Sequence, residues 1–542
     1  MKKVISFILA FSLVFSMFVI GSSASGESAW NDNNVCNNGD CEYYPTVIVP
    51  GLGQSNNWLL DENGEFIVDG DGNKTAAFPA YFQIGEVIKT AIVPLLLSVA
   101  TQKDIGFTEA VTKIIADSFG VNACDSNAKP SDRVRTEKYP RSLADCTEEE
   151  KAACYHHVPL NRIGSELYPE DHLYYFGYNS FGNNLDLAQE LYDFIQMVKE
   201  QTGHDKIIIS PISQGGTIFN SLLEYHPEVM DDLHKVIGIV PCLDGSTIIG
   251  DVFNDRIRFL DADVLYDGFL STFFDSETAS LLEVVIRILP DEIIMNALTE
   301  AAGLLVKDVM TTSTSMWAMC PSRDYPSAAE KYLADRPEIK KQTDMYYRAQ
   351  LNSDKNIQKL LDKGVQVFNV AEYDIQMYGV GYSYDIGNAD GIIQLDSTAM
   401  GVYAANVGET LPEDYVQQNT FCKNPAHNHI SPDRVVDAST TMLADTTIFI
   451  KGQKHEQTAM NDTVLKFAIK LLEGDEMKDV FSDPEMPQFH KVEPAPADKG
   501  GFFTKLSDFL YECFGTNGFS EMPGITINKI FDFIASPIKN LF

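Results

Sequence analysis

The sequence predicts an α/β protein in which a mostly parallel sheet is flanked by helices, with a helical insertion and a helical C-terminal tail. Short apolar runs alternate with amphipathic helical segments across residues 172–240, and parallel strands need such crossovers. The alternation stops over residues 245–350, where helical apolar stretches dominate, and resumes at residue 364. With 542 residues, of which 44% are hydrophobic, the chain can bury a large core and still carry insertions.

The predicted elements follow from the spacing of apolar residues and from the turn residues between them. The predicted strands cover residues 45–49, 172–178, 206–210, 235–240, 364–370 and 446–450. The predicted helices cover residues 86–100, 185–201, 217–225, 281–289, 293–309 and 463–472. Residues 61–75 contain Asn-Gly and Asp-Gly turns and predict a β-hairpin. A calcium loop there is the weaker alternative, because Lys74 stands where an EF-hand loop needs glycine.

The N-terminal segment predicts export. Lys2 and Lys3 precede an apolar run over residues 4–20, and small residues follow, which is the order of a secretory signal peptide cleaved after Ala24. An uncleaved membrane anchor is the alternative, since the apolar run could just span a bilayer. The protein is therefore expected to be secreted or held at the cell surface.

The formal net charge of −36 argues against two classes of partner. Nucleic acid and anionic lipid are bound by basic patches, so this acidic chain is expected to bind no nucleic acid. Partners should be neutral or cationic, and the sequence leaves the oligomeric state open.

The nine cysteines suggest disulfide bonds but no metal site. Cys36 with Cys41 and Cys146 with Cys154 are the simplest pairs to expect in an oxidising compartment, because they are close in sequence. No Cys-x-x-Cys pair occurs, and the sequence predicts no metal ion and no other cofactor.

The strongest chemical signal is a serine at the end of an apolar strand. The segment reads IIISPISQGG over residues 207–216 and continues directly into a helix. A nucleophilic serine needs such a tight strand-to-helix turn, and Gly215 and Gly216 let the strand and the helix approach closely. Pro211 departs from the usual pattern, because it stands where glycine is usual and removes one backbone donor. Ser213 is the predicted nucleophile, and a serine in an ordinary turn is the alternative.

A glycine-rich turn follows the first strand and reads PGLGQS over residues 50–55. Acyl transfer needs two preorganised N–H donors for the oxyanion that develops on the substrate. The backbone N–H groups of Leu52 and Gln214 are the predicted pair, because Leu52 lies in this turn and Gln214 directly follows Ser213.

The predicted general base is His455, which follows the strand over residues 446–450 and precedes a helix. His427 and His429 are rivals, but no predicted strand leads to them. Six other histidines precede or flank the serine motif along the chain and are expected at the surface. They are His156, His157, His172, His204, His226 and His234.

Three carboxylates compete for the role of the acid that orients His455. Asp433, in the segment SPDRVVDAS over residues 431–439, is preferred. Asp390, in NADGII over residues 388–393, and Asp374, which closely follows the strand over residues 364–370, are the alternatives.

Several of these motifs together resemble bacterial lipases and lecithin–cholesterol acyltransferase-like serine hydrolases of the α/β-hydrolase superfamily. They are the segment YFGYNSF over residues 175–181, the helix over 185–201, the serine motif, the Pro-Gly-Leu-Gly turn and the Asp-x-Val-Val run at Asp433. The resemblance covers residues 44–245 and 364–473. It implies an α/β-hydrolase fold with a helical lid, and ester hydrolysis or acyl transfer through a Ser-His-Asp triad and an acyl-enzyme. The apolar segments 86–100 and 245–335 are then expected to line or cap an acyl pocket.

The expected division of the chain follows from these assignments. Residues 1–24 form the signal peptide, 25–244 and 351–474 the two parts of the core, 245–350 the cap, 475–500 a linker and 501–542 an amphipathic tail. The expected partner is an ester or lipid-like substrate, and the tail could associate with a membrane or surface. Two alternatives remain: a soluble thioesterase or peptidase of the same fold, and a non-catalytic binding protein on a hydrolase scaffold.

Overall fold

The computed structural model of the protein describes residues 30, 41–70, 72–79, 90, 93–95, 97–98, 101–257, 289–378 and 387–492. The expected signal peptide and C-terminal tail lie outside these residues, as do most of the two helices expected over residues 86–100 and 281–289. Within the described ranges, no helix is long and apolar enough to cross a bilayer.

A seven-stranded, wholly parallel sheet forms the centre of an α/β fold. In chain order the strands are β1 (Thr46–Val49), β2 (Asn57–Leu59), β3 (Ala76–Phe78), β4 (Val134–Thr136), β5 (Leu173–Tyr175), β6 (Ile207–Pro211), β7 (Leu233–Ile239), β8 (Gln366–Tyr373), β9 (Tyr403–Ala404), β10 (Val436–Asp437), β11 (Thr447–Lys451) and β12 (Phe489–Lys491). The central sheet has the order β12-β11-β8-β7-β6-β1-β5. β3-β2-β4 and β10-β9 form small antiparallel sheets.

Helices connect and cover these strands. They are α1 (Phe107–Phe119), α2 (Glu148–His157), α3 (Asn184–Thr202), α4 (Gly215–Tyr225), α5 (Thr247–Phe253), α6 (Asp291–Asp308), α7 (Thr314–Ala318), α8 (Tyr325–Tyr332), α9 (Pro337–Leu351), α10 (Ser353–Asp362), α11 (Leu395–Thr398) and α12 (Asp462–Leu472). Helix α3 begins where the Asn183 side chain accepts the N–H groups of Leu185 and Asp186, and ends at Gly203, whose φ of +72° suits glycine.

The sheet is buried on both faces because its strands are apolar at successive positions. Ile208 and Ile237 point to one face and pack with α2 and α12. Ile209 and Val236, one residue along in each strand, point to the other face and pack with α3 and α4. Burial on both faces explains why these strands appear in the sequence as continuous apolar runs rather than as alternating ones.

The helices between β7 and β8 build a second apolar cluster beside the sheet. Helix α6 packs along α1, and the buried side chain of Trp317 on α7 packs on Phe253 of α5 at a centroid distance of 4.4 Å. The described part of the expected 245–350 insertion is therefore helical and has an apolar core that it shares with α1.

Three local expectations have different outcomes. The hairpin over residues 61–75 is confirmed by antiparallel bridges between Leu60 and Phe66 and between Val68 and Lys74. The second predicted strand is shorter than expected and ends at Tyr175. Residues 475–492, assigned to a linker from their composition, instead pack on the core and supply β12 at the sheet edge.

The expected disulfide between Cys146 and Cys154 is not formed. Both residues are buried thiols, and burial raises the pKa of each above its ordinary value. Cys36, which belongs to the other expected pair, lies outside the described residues.

All seven parallel strands end at the same edge of the sheet, where ligand sites of α/β folds are usually found. The loops after β1, β6, β8 and β11 meet there, and they carry the glycine-rich turn, Ser213, Asp390 and His455.

Candidate active site

Ser213 occupies a strained turn between β6 and α4. Its backbone φ is +48°, in the left-handed region that residues other than glycine rarely adopt. A Cβ on Gly215 would lie 2.3 Å from the Val49 carbonyl oxygen, so only glycine fits there. A Cβ on Gly216 would lie 2.9 Å from the Cys242 amide nitrogen. These close approaches hold Ser213 off the end of its strand, as a nucleophilic serine requires.

Pro211, which departs from the usual motif, is accommodated without an unpaired carbonyl. As the last residue of β6 it has no N–H to donate to β7. In the parallel register of these strands, the acceptor of that missing bond is the Ile237 carbonyl. This carbonyl accepts a hydrogen bond from the Ser210 hydroxyl at 2.9 Å instead. The proline therefore does not disturb the turn that carries Ser213.

The side chains of Ser213, His455 and Asp390 form one chain of hydrogen bonds. The Ser213 hydroxyl lies 2.9 Å from His455 Nε2, and His455 Nδ1 lies 2.7 Å from Asp390 Oδ2. Their exposed fractions are 5%, 2% and 0%. With Nδ1–H donating to the carboxylate, Nε2 is left to accept the serine proton, which is the arrangement that activates a hydroxyl as a nucleophile.

The carboxylate beside His455 belongs to Asp390, so the preferred assignment of Asp433 is corrected. Asp433 accepts a hydrogen bond from Ser431 at 2.6 Å and forms an ion pair with Lys451 at 2.8 Å. Although burial raises the pKa of Asp433, these two partners hold it below its ordinary value. Asp374 also pairs with Lys451, at 3.1 Å. Lys451 therefore forms ion pairs with both of the carboxylates that do not contact His455.

The loop after β8 fixes the orientation of Asp390. Its Oδ1 accepts the N–H groups of Ile392 and Ile393, at 2.9 and 2.7 Å, which leaves Oδ2 for His455. Its backbone carbonyl accepts the His455 N–H at 2.9 Å. The carboxylate and the imidazole are therefore joined through both their side chains and their backbones.

The electrostatic environment of His455 favours the protonated ring. Burial lowers the pKa of His455, but the charge of Asp390, its hydrogen bond and the charge of Glu456 together raise it by more, and the pKa ends above its ordinary value of 6.5. A ring that gains basicity from a buried carboxylate is suited to accept a proton from Ser213 and to return it.

Leu52 and Gln214, the two predicted oxyanion donors, lie on the turns that flank Ser213. A Cβ on Gly51 would lie 3.0 Å from the Ser213 Cβ, so the turn after β1 packs directly on the serine. Among the described residues, neither the Leu52 N–H nor the Gln214 N–H has a hydrogen-bond acceptor. Both are therefore available to a substrate oxygen.

A buried network that the sequence did not predict holds this turn in place. Tyr178 donates its hydroxyl hydrogen bond to the Pro50 carbonyl at 2.7 Å. Gln214 donates its Nε2 to the Ser180 carbonyl at 3.0 Å, and the Ser180 hydroxyl accepts the Gly53 N–H at 3.1 Å. The only sequence signal for these positioning roles was the resemblance of the 175–181 segment to the lipases.

A second buried carboxyl, Glu372 at the end of β8, lies beside the Asp390–His455 pair. Its Oε1 accepts the Thr458 hydroxyl at 2.8 Å, and its Oε2 has no hydrogen-bond partner among the described residues. Burial, reinforced by the charge of Asp390, raises the pKa of Glu372 well above its ordinary value of 4.5. The neutral form of Glu372 is therefore favoured to a higher pH than in an exposed glutamate.

We expect Glu372→Gln to keep activity within about threefold and to raise stability at neutral pH. The folded state holds a proton that the unfolded state releases above pH 4.5, so the wild type loses stability as pH rises from there, whereas the glutamine variant does not. Melting curves at pH 4 and pH 7.5 measure this difference. Glu330→Gln, at an exposed position of α8, is the control and should show no such change. A variant less stable at pH 7.5 than the wild type would mean that Glu372 is ionised.

The other histidines considered from the sequence divide into three groups. His427 and His429, the rival bases, lie beside Asp445 before the start of β11 and not at Ser213. His157, His172 and His204 are buried, contrary to the surface position expected from the sequence. His156, His226 and His234 are partly or fully exposed, and the described residues bring none of them to Ser213.

An apolar cavity opens beside Ser213 and His455. Its volume, counted with the open mouth, is about 740 Å³. It extends under the sheet between the loop after α2 and helix α12, and its walls include Val158, Leu160, Ile237, Val464, Leu465 and Ala468. None of the described residues of segments 86–100 and 245–335 lines it, so this cavity is not the pocket that the sequence predicted.

Comparison with known proteins adds little to this geometry. No family model matches the sequence, and no curated protein matches it. One similar solved structure is described as "The crystal structure of Tle4-Tli4 complex"; the match has 12% identity and a TM-score of 0.27, and covers 61% of this chain and 74% of that chain. A match with this TM-score carries no functional argument.

Proposed function

We propose that this protein is a secreted serine hydrolase of the α/β-hydrolase, lipase-like kind, and that it cleaves carboxylic esters with apolar acyl chains. The observation that carries the proposal is the chain of hydrogen bonds from Ser213 through His455 to Asp390, at the mouth of an apolar cavity. Two free backbone N–H groups beside the serine support the same reaction class.

The proposed reaction consists of acylation and deacylation of Ser213. In each step His455 takes up one proton and gives it back. His455 takes the Ser213 proton as Oγ bonds to the ester carbon, and the N–H groups of Leu52 and Gln214 stabilise the oxyanion. The bond to the alcohol then breaks, and His455 returns the proton to the leaving oxygen. Water attacks the acyl-enzyme with His455 again as base, which releases the carboxylic acid and restores Ser213.

The class of substrate is inferred from the cavity. Its walls are mostly aliphatic, and the acidic surface of the protein repels anionic ligands. An ester whose acyl chain enters between α12 and the loop after α2 buries that chain without bringing a charge into the protein. In this proposal the helices over residues 245–350 form a cap, and the protein acts outside the cell or at its surface.

We expect the wild type to hydrolyse p-nitrophenyl esters and Ala468→Phe to shorten the acyl chain that it accepts. Ala468 lies on α12 and lines the cavity, so a phenyl ring there occupies space needed by a long chain. The expected loss of kcat/KM is about tenfold or more for a dodecanoyl ester and less than about twofold for a butyryl ester. The measurement is kcat/KM across a series of chain lengths.

Lys466→Phe is the matched control, because Lys466 is an exposed residue on the same helix and does not line the cavity. It should leave the chain-length profile unchanged. Absence of ester hydrolysis by the folded wild type would contradict the proposed function. Equal losses on short and long esters in Ala468→Phe would contradict only the acyl site.

A further inference from the structure

Four side chains with metal-binding atoms form a cluster outside the candidate active site: Cys422, His427, His429 and Asp445. One ligand atom from each lies within 4.8 Å of all the others. Cys422 and His429 are buried, and the other two are partly exposed. The cluster joins the long loop between β9 and β10 to the start of β11, at the opposite end of that strand from His455.

The spacing of these atoms suits a small divalent cation with tetrahedral coordination. Cys422 Sγ lies 3.5 Å from His427 Nδ1, and Asp445 Oδ1 lies 2.9 Å from His427 Nδ1 and 3.1 Å from His429 Nε2. Zinc bonds of about 2.0–2.3 Å place tetrahedral ligand atoms roughly 3.3–3.7 Å apart. These three distances lie within a few tenths of an ångström of the expected separations, and the other three pairs of ligand atoms lie within 4.8 Å.

The protonation of His429 supplies a second, independent argument. Gln488 donates its Nε2 to the carbonyls of Ala444 and Thr447, at 2.7 and 3.1 Å, so its Oε1 must face His429. His429 Nδ1, 2.7 Å from that oxygen, therefore carries a proton. The neutral ring then presents a bare lone pair at Nε2.

This Nε2 is fully buried, has no hydrogen-bond partner in the described part of the chain and lies 3.1 Å from the Asp445 carboxylate. Two acceptors this close repel each other unless a positive charge lies between them. A histidine whose other nitrogen is held by an amide oxygen is also the usual arrangement around bound zinc.

His427 needs one adjustment to bind through Nδ1. Its Nε2 now accepts a hydrogen bond from the Asn424 amide at 2.8 Å, whereas a ring bound through Nδ1 carries its proton on Nε2. Rotation of the Asn424 amide would present its oxygen to that proton, in exchange for the hydrogen bond that this oxygen now accepts from the Ala426 N–H at 3.0 Å. The cluster can therefore supply one sulfur, two nitrogens and one oxygen.

We propose that Cys422, His427, His429 and Asp445 bind a zinc ion that anchors the 405–435 loop to the sheet. Four protein ligands leave no open coordination position, which is typical of structural and not of catalytic zinc. The sequence predicted no metal because it lacks Cys-x-x-Cys pairs, but ligands from a loop and a strand start need no such spacing. This site is independent of the proposed ester hydrolysis.

The test is the zinc content of the purified full chain after equilibrium dialysis against Zn²⁺, together with its melting temperature. We expect Cys422→Ser and His429→Gln each to bind about one equivalent less than the wild type. Chelation of the wild type should lower Tm by roughly 5 °C, an effect largely absent in the variants. Co²⁺ loading should give a thiolate-to-cobalt absorption band that Cys422→Ser lacks.

Two controls make the result specific. Cys124→Ser replaces a buried thiol that donates to the Phe181 carbonyl at 3.1 Å, and should keep the zinc. His172→Ala removes another group of ligating side chains, Cys41, His172 and His204, and should leave the equivalent that depends on Cys422 in place. Circular dichroism checks that each variant folds, and His427→Ala, at a partly exposed position, replaces any that does not. Unchanged zinc content in Cys422→Ser, or no zinc in the wild type, would overturn the proposal in favour of a proton shared by His429 and Asp445.

Discussion

Replacement of Ser213 by alanine should lower kcat for ester hydrolysis by about 10⁴-fold or more and abolish labelling by a fluorophosphonate probe. The hydroxyl oxygen is the atom that bonds to the ester carbon, and it lies 2.9 Å from His455 Nε2, which accepts its proton. The oxyanion donors and the cavity remain, so a small residual rate above the uncatalysed one is expected. Labelling intensity and kcat on a butyryl ester are the two measurements.

Ser210→Ala is the control for this variant, because it also removes a buried hydroxyl. Ser210 lies in β6, the strand that ends just before Ser213. Among the described residues its hydroxyl donates to the Ile237 carbonyl alone, so this variant should lose stability but still be labelled. Undiminished labelling of Ser213→Ala would show that another nucleophile reacts. A folded wild type that resists labelling would favour the non-catalytic binding protein.

Replacement of Asp390 by asparagine should lower kcat/KM by about 10³–10⁴-fold and move its pH dependence. In the wild type the pKa of His455 lies above 6.5, so activity should fall as pH drops through a value above 6.5. Without the carboxylate, burial dominates and lowers the pKa of His455, so the acid limb should move to lower pH. The measurement is kcat/KM from pH 5 to pH 9 for both proteins.

Asp433→Asn is the matched comparison, because the sequence favours this residue and the structure pairs it with Lys451. We expect activity within about threefold of the wild type and an unmoved acid limb, since the ion pair is partly exposed and contributes little. A larger loss of kcat/KM in Asp433→Asn than in Asp390→Asn would reject the arrangement of Asp390 and His455 described above.

The sequence alone was sufficient to predict the α/β class and the position of most strands and helices. Buried parallel strands must be apolar at every position, and surface helices must be apolar on one side, so both leave local patterns. The turn at Ser213 also has a local signature, because close packing of strand and helix requires glycine at Gly215. His455 was chosen from a local pattern as well, because it directly follows an apolar strand. The structure places that strand, β11, beside β8.

The sequence by itself could not choose among Asp390, Asp433 and Asp374, because Asp390 and Asp433 share the same Asp-x-apolar-apolar pattern and Asp374 closely follows an apolar strand. The tertiary structure decided the choice through Lys451, which binds two of them, and through the two backbone N–H groups that turn Asp390 toward His455. The buried Glu372, the cavity under the sheet and the cluster at Cys422 likewise depend on residues far apart in the chain. Local sequence patterns report burial and turns, whereas pairing of side chains and the shape of cavities depend on how distant segments meet.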